Sequence, residues 1–153
     1  MKRLILLTAM FKILDAQVTT IDSGSPTDSN FTGGAAFGFA GPVIGTTDLT
    51  MRSGNSVYDI PCDNDWPYII SFEFFEPVVT GVGQRVFNVR VNNQIVLDHL
   101  DVFKEAGGKN KAIHRSVIVL GADEHLVIQF EAITRTPIIS SISFKQLFQT
   151  GAK

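Results

Sequence analysis

The stretch Gly83-Gln84-Arg85-Val86-Phe87-Asn88-Val89-Arg90-Val91-Asn92-Asn93-Gln94-Ile95-Val96-Leu97-Asp98 decides the fold. Phe87, Val89 and Val91 alternate with Asn88 and Arg90, the period of two that marks a half-buried strand. A second apolar run, Ile95-Val96-Leu97, follows at once. Asn tolerates positive φ, so Asn92-Asn93 between the runs predicts a tight two-residue hairpin turn.

The same pattern extends on both sides of this hairpin. Leu126, Ile128 and Phe130 alternate with Gln129 and Glu131, and Ile138, Ile142 and Phe144 share a face against Ser141, Ser143 and Lys145. Residues 68–75 are apolar on both faces apart from Ser71 and Glu73, which predicts a central strand. Turn signals separate the runs: Asp63-Asn64-Asp65, Gly81-Val82-Gly83, Gly107-Gly108 and Gly121-Ala122-Asp123. Residues 101–106 predict the single helical turn, ended by Gly107. Residues 23–45, rich in Gly, Ser, Thr and Ala with Pro26 and Pro42, read as long loops. Many short strands with frequent turns indicate an all-β fold, a β-sandwich.

At 153 residues the chain is one domain by length, and 44% apolar residues with twelve Phe supply a sizeable core. Thirteen basic against fifteen acidic residues give a net charge of −2, with no Lys/Arg stripe to suit nucleic acid. Cys62 is the only cysteine, which excludes an internal disulfide and points to packing rather than reactivity. Asn30-Phe31-Thr32 is a glycosylation sequon of a kind expected by chance in a chain of this composition.

Met1-Lys2-Arg3 followed by Leu4-Ile5-Leu6-Leu7-Thr8-Ala9-Met10-Phe11 has the charged start and apolar body of a signal peptide. Lys12 interrupts the run and Leu14-Asp15-Ala16 is a mediocre cleavage site, so residues 1–16 read as signal-like or as an uncleaved extension, the latter favoured. With the lone thiol, that reading favours an intracellular address over the secretory route or the ER lumen. The run is shorter than the ~20 apolar residues of a membrane span, and no later segment qualifies. Residues 17–148 form the expected sandwich and 149–153 a tail.

The order of these elements resembles that of the malectin-like carbohydrate-binding domains, which belong to the galactose-binding type of β-sandwich. The resemblance is carried by Ile21-Asp22-Ser23-Gly24, then Val57-Tyr58-Asp59-Ile60-Pro61, then Ile70-Ser71-Phe72-Glu73-Phe74-Phe75-Glu76. The hairpin follows, then Asp98-His99-Leu100-Asp101-Val102-Phe103, His125-Leu126-Val127-Ile128-Gln129-Phe130 and Pro137-Ile138-Ile139-Ser140-Ser141-Ile142. It covers most of the chain from about residue 17 and implies a malectin-like jelly roll that binds without catalysing.

In such domains the resemblance implies a sugar held by tyrosines in two early loops, a Tyr-Phe pair after the Glu-ended strand, and a late acidic residue. Flat aromatic faces stack on sugar rings while polar groups take the hydroxyls. Here Val78-Val79 occupy the Tyr-Phe positions, Asp48 and Ser53 stand in the loop before Tyr58, and Arg135 replaces the acid. Phe31, Phe37 and Phe39 are the aromatics near the earliest tyrosine. Tyr58 reads as core or capped by a backbone partner, and Trp66 as an edge-of-core residue.

Two functions follow from these replacements. The favoured one is a structural or accessory subunit making protein–protein contacts within a larger assembly, with Leu4 to Leu14 available to a partner. The alternative is a lectin whose altered oligosaccharide site uses Phe37, Phe39 or Trp66 for stacking and Asp48, Arg52 or Arg135 for hydroxyls. Glu76, Asp98 and Asp101 are read as satisfying loop amides.

No cofactor or metal is expected. His99, His114 and His125 lack ligand-like spacing, and Asp63-Asn64-Asp65 lacks the Gly and Glu of a calcium loop. Gly33-Gly34-Ala35-Ala36-Phe37-Gly38-Phe39 lacks the Lys-Ser/Thr ending of a phosphate loop and reads as a flexible or tightly turned loop. No Gly-x-Ser-x-Gly elbow is present and Cys62 has no identifiable base, so the chain is not read as an enzyme.

Overall fold

The computed structural model describes residues 18–26, 28–47 and 49–147; segment 1–16, tail 149–153 and Asp48 lie outside them. Two antiparallel sheets face each other. One has the order β1 (Thr19–Asp22), β12 (Ser141–Gln146), β6 (Pro67–Phe75), β9 (Ala112–Leu120). The other runs β2 (Phe31–Thr32), β5 (Val57–Pro61), β10 (His125–Thr134), β7 (Val86–Val91), β8 (Gln94–Leu100). A third, small sheet joins β11 (Ile138–Ile139), β4 (Thr50–Ser53) and β3 (Ala35–Gly38). The fold is the expected β-sandwich.

The hairpin forms as its sequence predicts. Val91 pairs with Gln94, and Asn92 and Asn93 turn the chain with φ of 47° and 66°. Asn92 also explains why glycine does not stand there: its Oδ1 accepts from the Val127 amide at 2.8 Å and its Nδ2 donates to the His125 carbonyl at 3.3 Å. The turn is thereby tied to the neighbouring strand β10. Asn88 departs from the alternation. Register shifts between β7 and β8 leave it buried, where its Oδ1 accepts from the amide of His99, itself at φ 49°.

β6 is the central strand that its apolar composition predicts, flanked by β12 and β9. Ile70, Phe72 and Phe74 point inward against Tyr58, Phe87, Val89, Ile128 and Phe130 of the facing sheet. A continuous aromatic file crosses this core: Tyr58–Phe130, Phe130–Phe72, Phe72–Phe74 and Phe74–Phe87 have centroid separations of 6.2, 6.4, 6.1 and 5.8 Å. Burying each such ring stabilises the fold by roughly 1.5–3 kcal/mol.

The helical turn α1 (Val102–Ala106) is capped as its sequence implies. Asp101 Oδ1 accepts from the Lys104 amide at 3.0 Å, and Gly107 ends the turn at φ 71°. Residues 23–45 are less loop-like than their composition suggests. Gly33 and Gly34, at φ 77° and 70°, turn the chain tightly and deliver Ala35 to Gly38 against β4. Pairing to β5 and β4 recruits these short segments into strands against their weak local preference.

Candidate functional site

One end of the sandwich gathers residues 32–34, 54–56, 76–85 and 133–137, because β6 and β10 finish there and β5 and β7 begin there. Two buried ion pairs hold this end. Glu76, just past β6, meets Arg85 Nε through Oε2 at 2.6 Å, with both side chains at most 5% exposed. Glu76 Oε1 also accepts from the amides of Val78 and Val79 at 2.8 and 3.0 Å. Arg85 Nη1 donates onward to the carbonyl of Thr136. Asp101 Oδ2 accepts from the Gly83 amide at 2.6 Å. Loop 76–85 is thus tied to β6, to the loop after β10 and to α1.

The second pair fixes the early loop. Asp28 Oδ2 accepts from Arg52 Nε at 2.9 Å and from the Gly24 amide at 2.6 Å. The Arg52 guanidinium carbon lies 3.3 Å from the centroid of the Phe31 ring, a close cation–π contact. Phe31 in turn meets Tyr58 at 6.0 Å, so the aromatic file of the core begins under Arg52. Tyr58 Oη donates to Ser23 Oγ at 2.9 Å and lies 3.3 Å from Asp28 Oδ2. Tyr58 is therefore core, as expected, but its hydroxyl is met by side chains rather than backbone. Burial pushes its hydroxyl up to about 12, opposed by the Ser23 hydrogen bond.

The structure separates five of the six residues singled out from sequence. Phe37 lies on β3 opposite Met51 and is 42% exposed. Phe39 is half-buried, its ring 6.0 Å from Phe75 at the core margin. Arg52 is buried and committed to Asp28. Arg135 is exposed in the loop after β10 at φ 62°. Trp66 precedes the first residue of the nine-residue strand β6 and so stands at the opposite end, roughly 27 Å away. Asp48 lies outside the described residues. Arg135 thus belongs to this end, Phe37 lies on the adjoining strand β3, and Trp66 does not join them.

Sequence reasoning missed Asp28, Ser23 and Arg85, since nothing in local spacing announces a carboxylate that pairs across 24 residues. It also missed the surface apolar set at this end: Val78, Val82 and Ile133 are 44, 62 and 45% exposed. A shallow groove of about 300 Å³ runs on the outer side of the five-stranded sheet, lined by Asn55, Val57, Arg90, Asn93, Gln129 and Glu131 among others. There the Arg90 hydrogen bond, helped by Asn88, holds the Glu131 carboxyl below its usual range. Among the described residues, no three His, Cys, Asp or Glu side chains converge as metal ligands. No helix there is long and apolar enough to cross a membrane, which says nothing of strands.

Comparison with known proteins places this geometry. The malectin domain family matches residues 47–146. The chain belongs to that family. Malectin domains are binding modules, used for carbohydrate and for protein. This malectin domain is 29% identical over 76 residues to a probable receptor-like protein kinase of Arabidopsis thaliana, covering 50% of the chain and 9% of the kinase. It is 32% identical over 84 residues to Malectin-B of Xenopus laevis, covering 54% of the chain and 30% of that protein. The chain therefore spans less than a third of either relative.

Three solved structures share the fold. The ANXUR2 extracellular domain of Arabidopsis thaliana superposes with a TM-score of 0.74 at 14% identity, over 86% of the chain and 49% of the structure. FER, in a complex with the plant peptide RALF23 and LLG2, gives 0.68 at 16%, over 79% and 42%. A Bacteroides uniformis β-glucuronidase gives 0.73 at 16%, over 88% and 19%. At these identities the likeness concerns the fold alone. The intracellular address expected from sequence is overturned by this company: the relatives are malectin and a receptor-like kinase, and the ANXUR2 match is an extracellular domain. The reading failed physically because a lone cysteine removes a disulfide staple without fixing a compartment, and this core of phenylalanines needs no staple.

Proposed function

We propose that this malectin domain is a non-catalytic module of the secretory or extracellular space that binds a protein or peptide through its loop end. The observation that carries the reading is the exposed apolar set Val78 and Val82 on loop 76–85, Ile133 near the end of β10 and Phe37 on β3, with loop 76–85 fixed by Glu76–Arg85 and the early loop by Asp28–Arg52. Val78 stands where the resemblance places an aromatic sugar platform. An aliphatic side chain offers no flat face for a sugar ring, yet it suits a desolvated protein contact. Rigid loops lower the ordering cost of association. The solved complex of the plant peptide RALF23 with FER and LLG2 supports the reading, since FER contains this fold and is there assembled with a peptide.

The second reading is an oligosaccharide lectin. Family membership supports it, as does the polar groove bearing Asn55, Asn93, Gln129 and Glu131. A glycan array followed by calorimetry separates the two. Silence across glucans and galactans, with partner association lost on Val82→Asp, supports the protein-binding reading. Glycan binding that disappears on Phe37→Ala or Arg135→Ala overturns it in favour of the lectin.

A further inference from the structure

The two flanks of the sandwich are finished differently. On one side the sheets end in β1, carrying Thr19, Thr20 and Asp22, and in β2, which has two residues. Short, polar edges of this kind resist further pairing. On the other side they end in β9, nine residues long and, among the described residues, bonded along its outer edge to Ile44 only at its start, and β8, seven. β9 has an unbroken apolar run, Val117-Ile118-Val119-Leu120, with no proline and no lysine within the strand. Ile118 and Leu120 are 67 and 62% exposed, and Val117 and Val119 are half-exposed on the core side. Ile95 of β8 adds 43% exposure, and a groove of about 450 Å³ between the edges is lined by Val91, Val96, Ile118, Val119 and Leu120 among others.

From this flank we propose that the chain forms a twofold homodimer by antiparallel pairing of β9 with β9 of a second copy, extending the four-stranded sheet across the interface. The charge distribution along the strand selects a second copy over an unrelated strand. Basic residues stand at the start, Lys109, Lys111, His114 and Arg115; acidic residues follow the end, Asp123 and Glu124. Antiparallel self-pairing sets each basic start against the acidic turn of the other copy, with the apolar run between.

Geometry also fixes the register. Side chains alternate between faces, so a twofold axis normal to the sheet passes through a residue rather than between two. Centred on Ile118, the axis sets Ile118 against its own copy, Val117 against Val119 and Ser116 against Leu120. Arg115, which pairs with Glu105 in its own chain, then stands beside the Gly121-to-Glu124 turn of the second copy. The added strand covers the half-exposed Val117 and Val119 and closes the groove.

Sedimentation velocity on the full chain from low to high micromolar concentration tests this. A concentration-dependent monomer–dimer equilibrium is expected, weakened at least about tenfold by Ile118→Lys and by Arg115→Glu. Ile118 is exposed, so the first variant keeps its far-ultraviolet spectrum. In a Cys62→Ser background, Ile118→Cys forms an intermolecular disulfide, because directly opposed residues in an antiparallel pair stand about 4.5–5.5 Å apart at Cα. A chain that stays monomeric throughout overturns the proposal. So does a dimer indifferent to both charged variants, or a β9 edge that pairs only with a strand of another protein.

Discussion

Arg85 reaches Glu76 across the base of loop 76–85, with 2.6 Å between Nε and Oε2 and neither side chain more than 5% exposed. The pair does two jobs. Glu76 also receives the amides of Val78 and Val79, and Arg85 also donates to the Thr136 carbonyl, so one contact sets both loops of the candidate site.

Breaking this pair from one side leaves a buried charge without a counterion. Arg85→Met is expected to destabilise the domain by about 3–5 kcal/mol in urea unfolding. The double variant with Glu76→Gln recovers part of that loss, since no net charge remains buried. A loss below about 1 kcal/mol for Arg85→Met would show that the loops are held by something else.

Tyr58 makes stability depend on alkaline pH. Burial raises its hydroxyl from the ordinary tyrosine value of about 10 to about 12 in the folded protein. Below pH 10 both states are neutral there and the contribution is complete. Between pH 10 and about 12 the unfolded chain ionises and the folded one does not, so stability falls through that window, by on the order of 2 kcal/mol. Tyr58→Phe keeps the ring against Phe31 and Phe130 and should flatten this part of the profile. Chemical denaturation repeated from pH 8 to about pH 12 in both proteins is the check; parallel profiles would refute the assignment.

Gly24 is required by space as well as by its φ of 84°. A Cβ added there would sit 2.0 Å from the Met51 carbonyl oxygen. Because the Gly24 amide also donates to Asp28, moving this segment disturbs the carboxylate that Arg52 holds. Gly24→Ala is expected to lower stability by at least about 2 kcal/mol. Thermal unfolding indistinguishable from the parent would mean that the loop relaxes freely.

The elements were legible where local signals are strong: the hairpin at Asn92-Asn93, the central strand β6 and the capped turn at Asp101 follow from residues close in sequence, whereas the order of strands in the sheets does not. β2 and β3 were not, because they become strands only by pairing with β5 and β4. The candidate site was half legible. Glu76 and Asp101 announce themselves as amide acceptors near turns, whereas Asp28 and Arg52 are brought together by tertiary folding alone. Arg52, marked from sequence as a residue for sugar hydroxyls, is spent inside on Asp28 and on the Phe31 ring. Trp66 was separated from the site by the length of β6, which sequence distance does not reveal.

Val82 is 62% exposed at the tip of loop 76–85. Val82→Asp should leave stability within about 0.5 kcal/mol of the parent, as surface changes do. Partner association should weaken at least about tenfold, since a carboxylate would be desolvated in the contact. Equal binding by both proteins would remove the loop tip from the interface.

The most direct test of the protein-binding account is quantitative affinity capture from the secreted fraction of the source cells, comparing the parent with the Val78→Asp/Val82→Asp variant at equal folded concentration. The account predicts at least one protein retained by the parent and depleted about tenfold or more with the variant. Identical sets of retained proteins would contradict it.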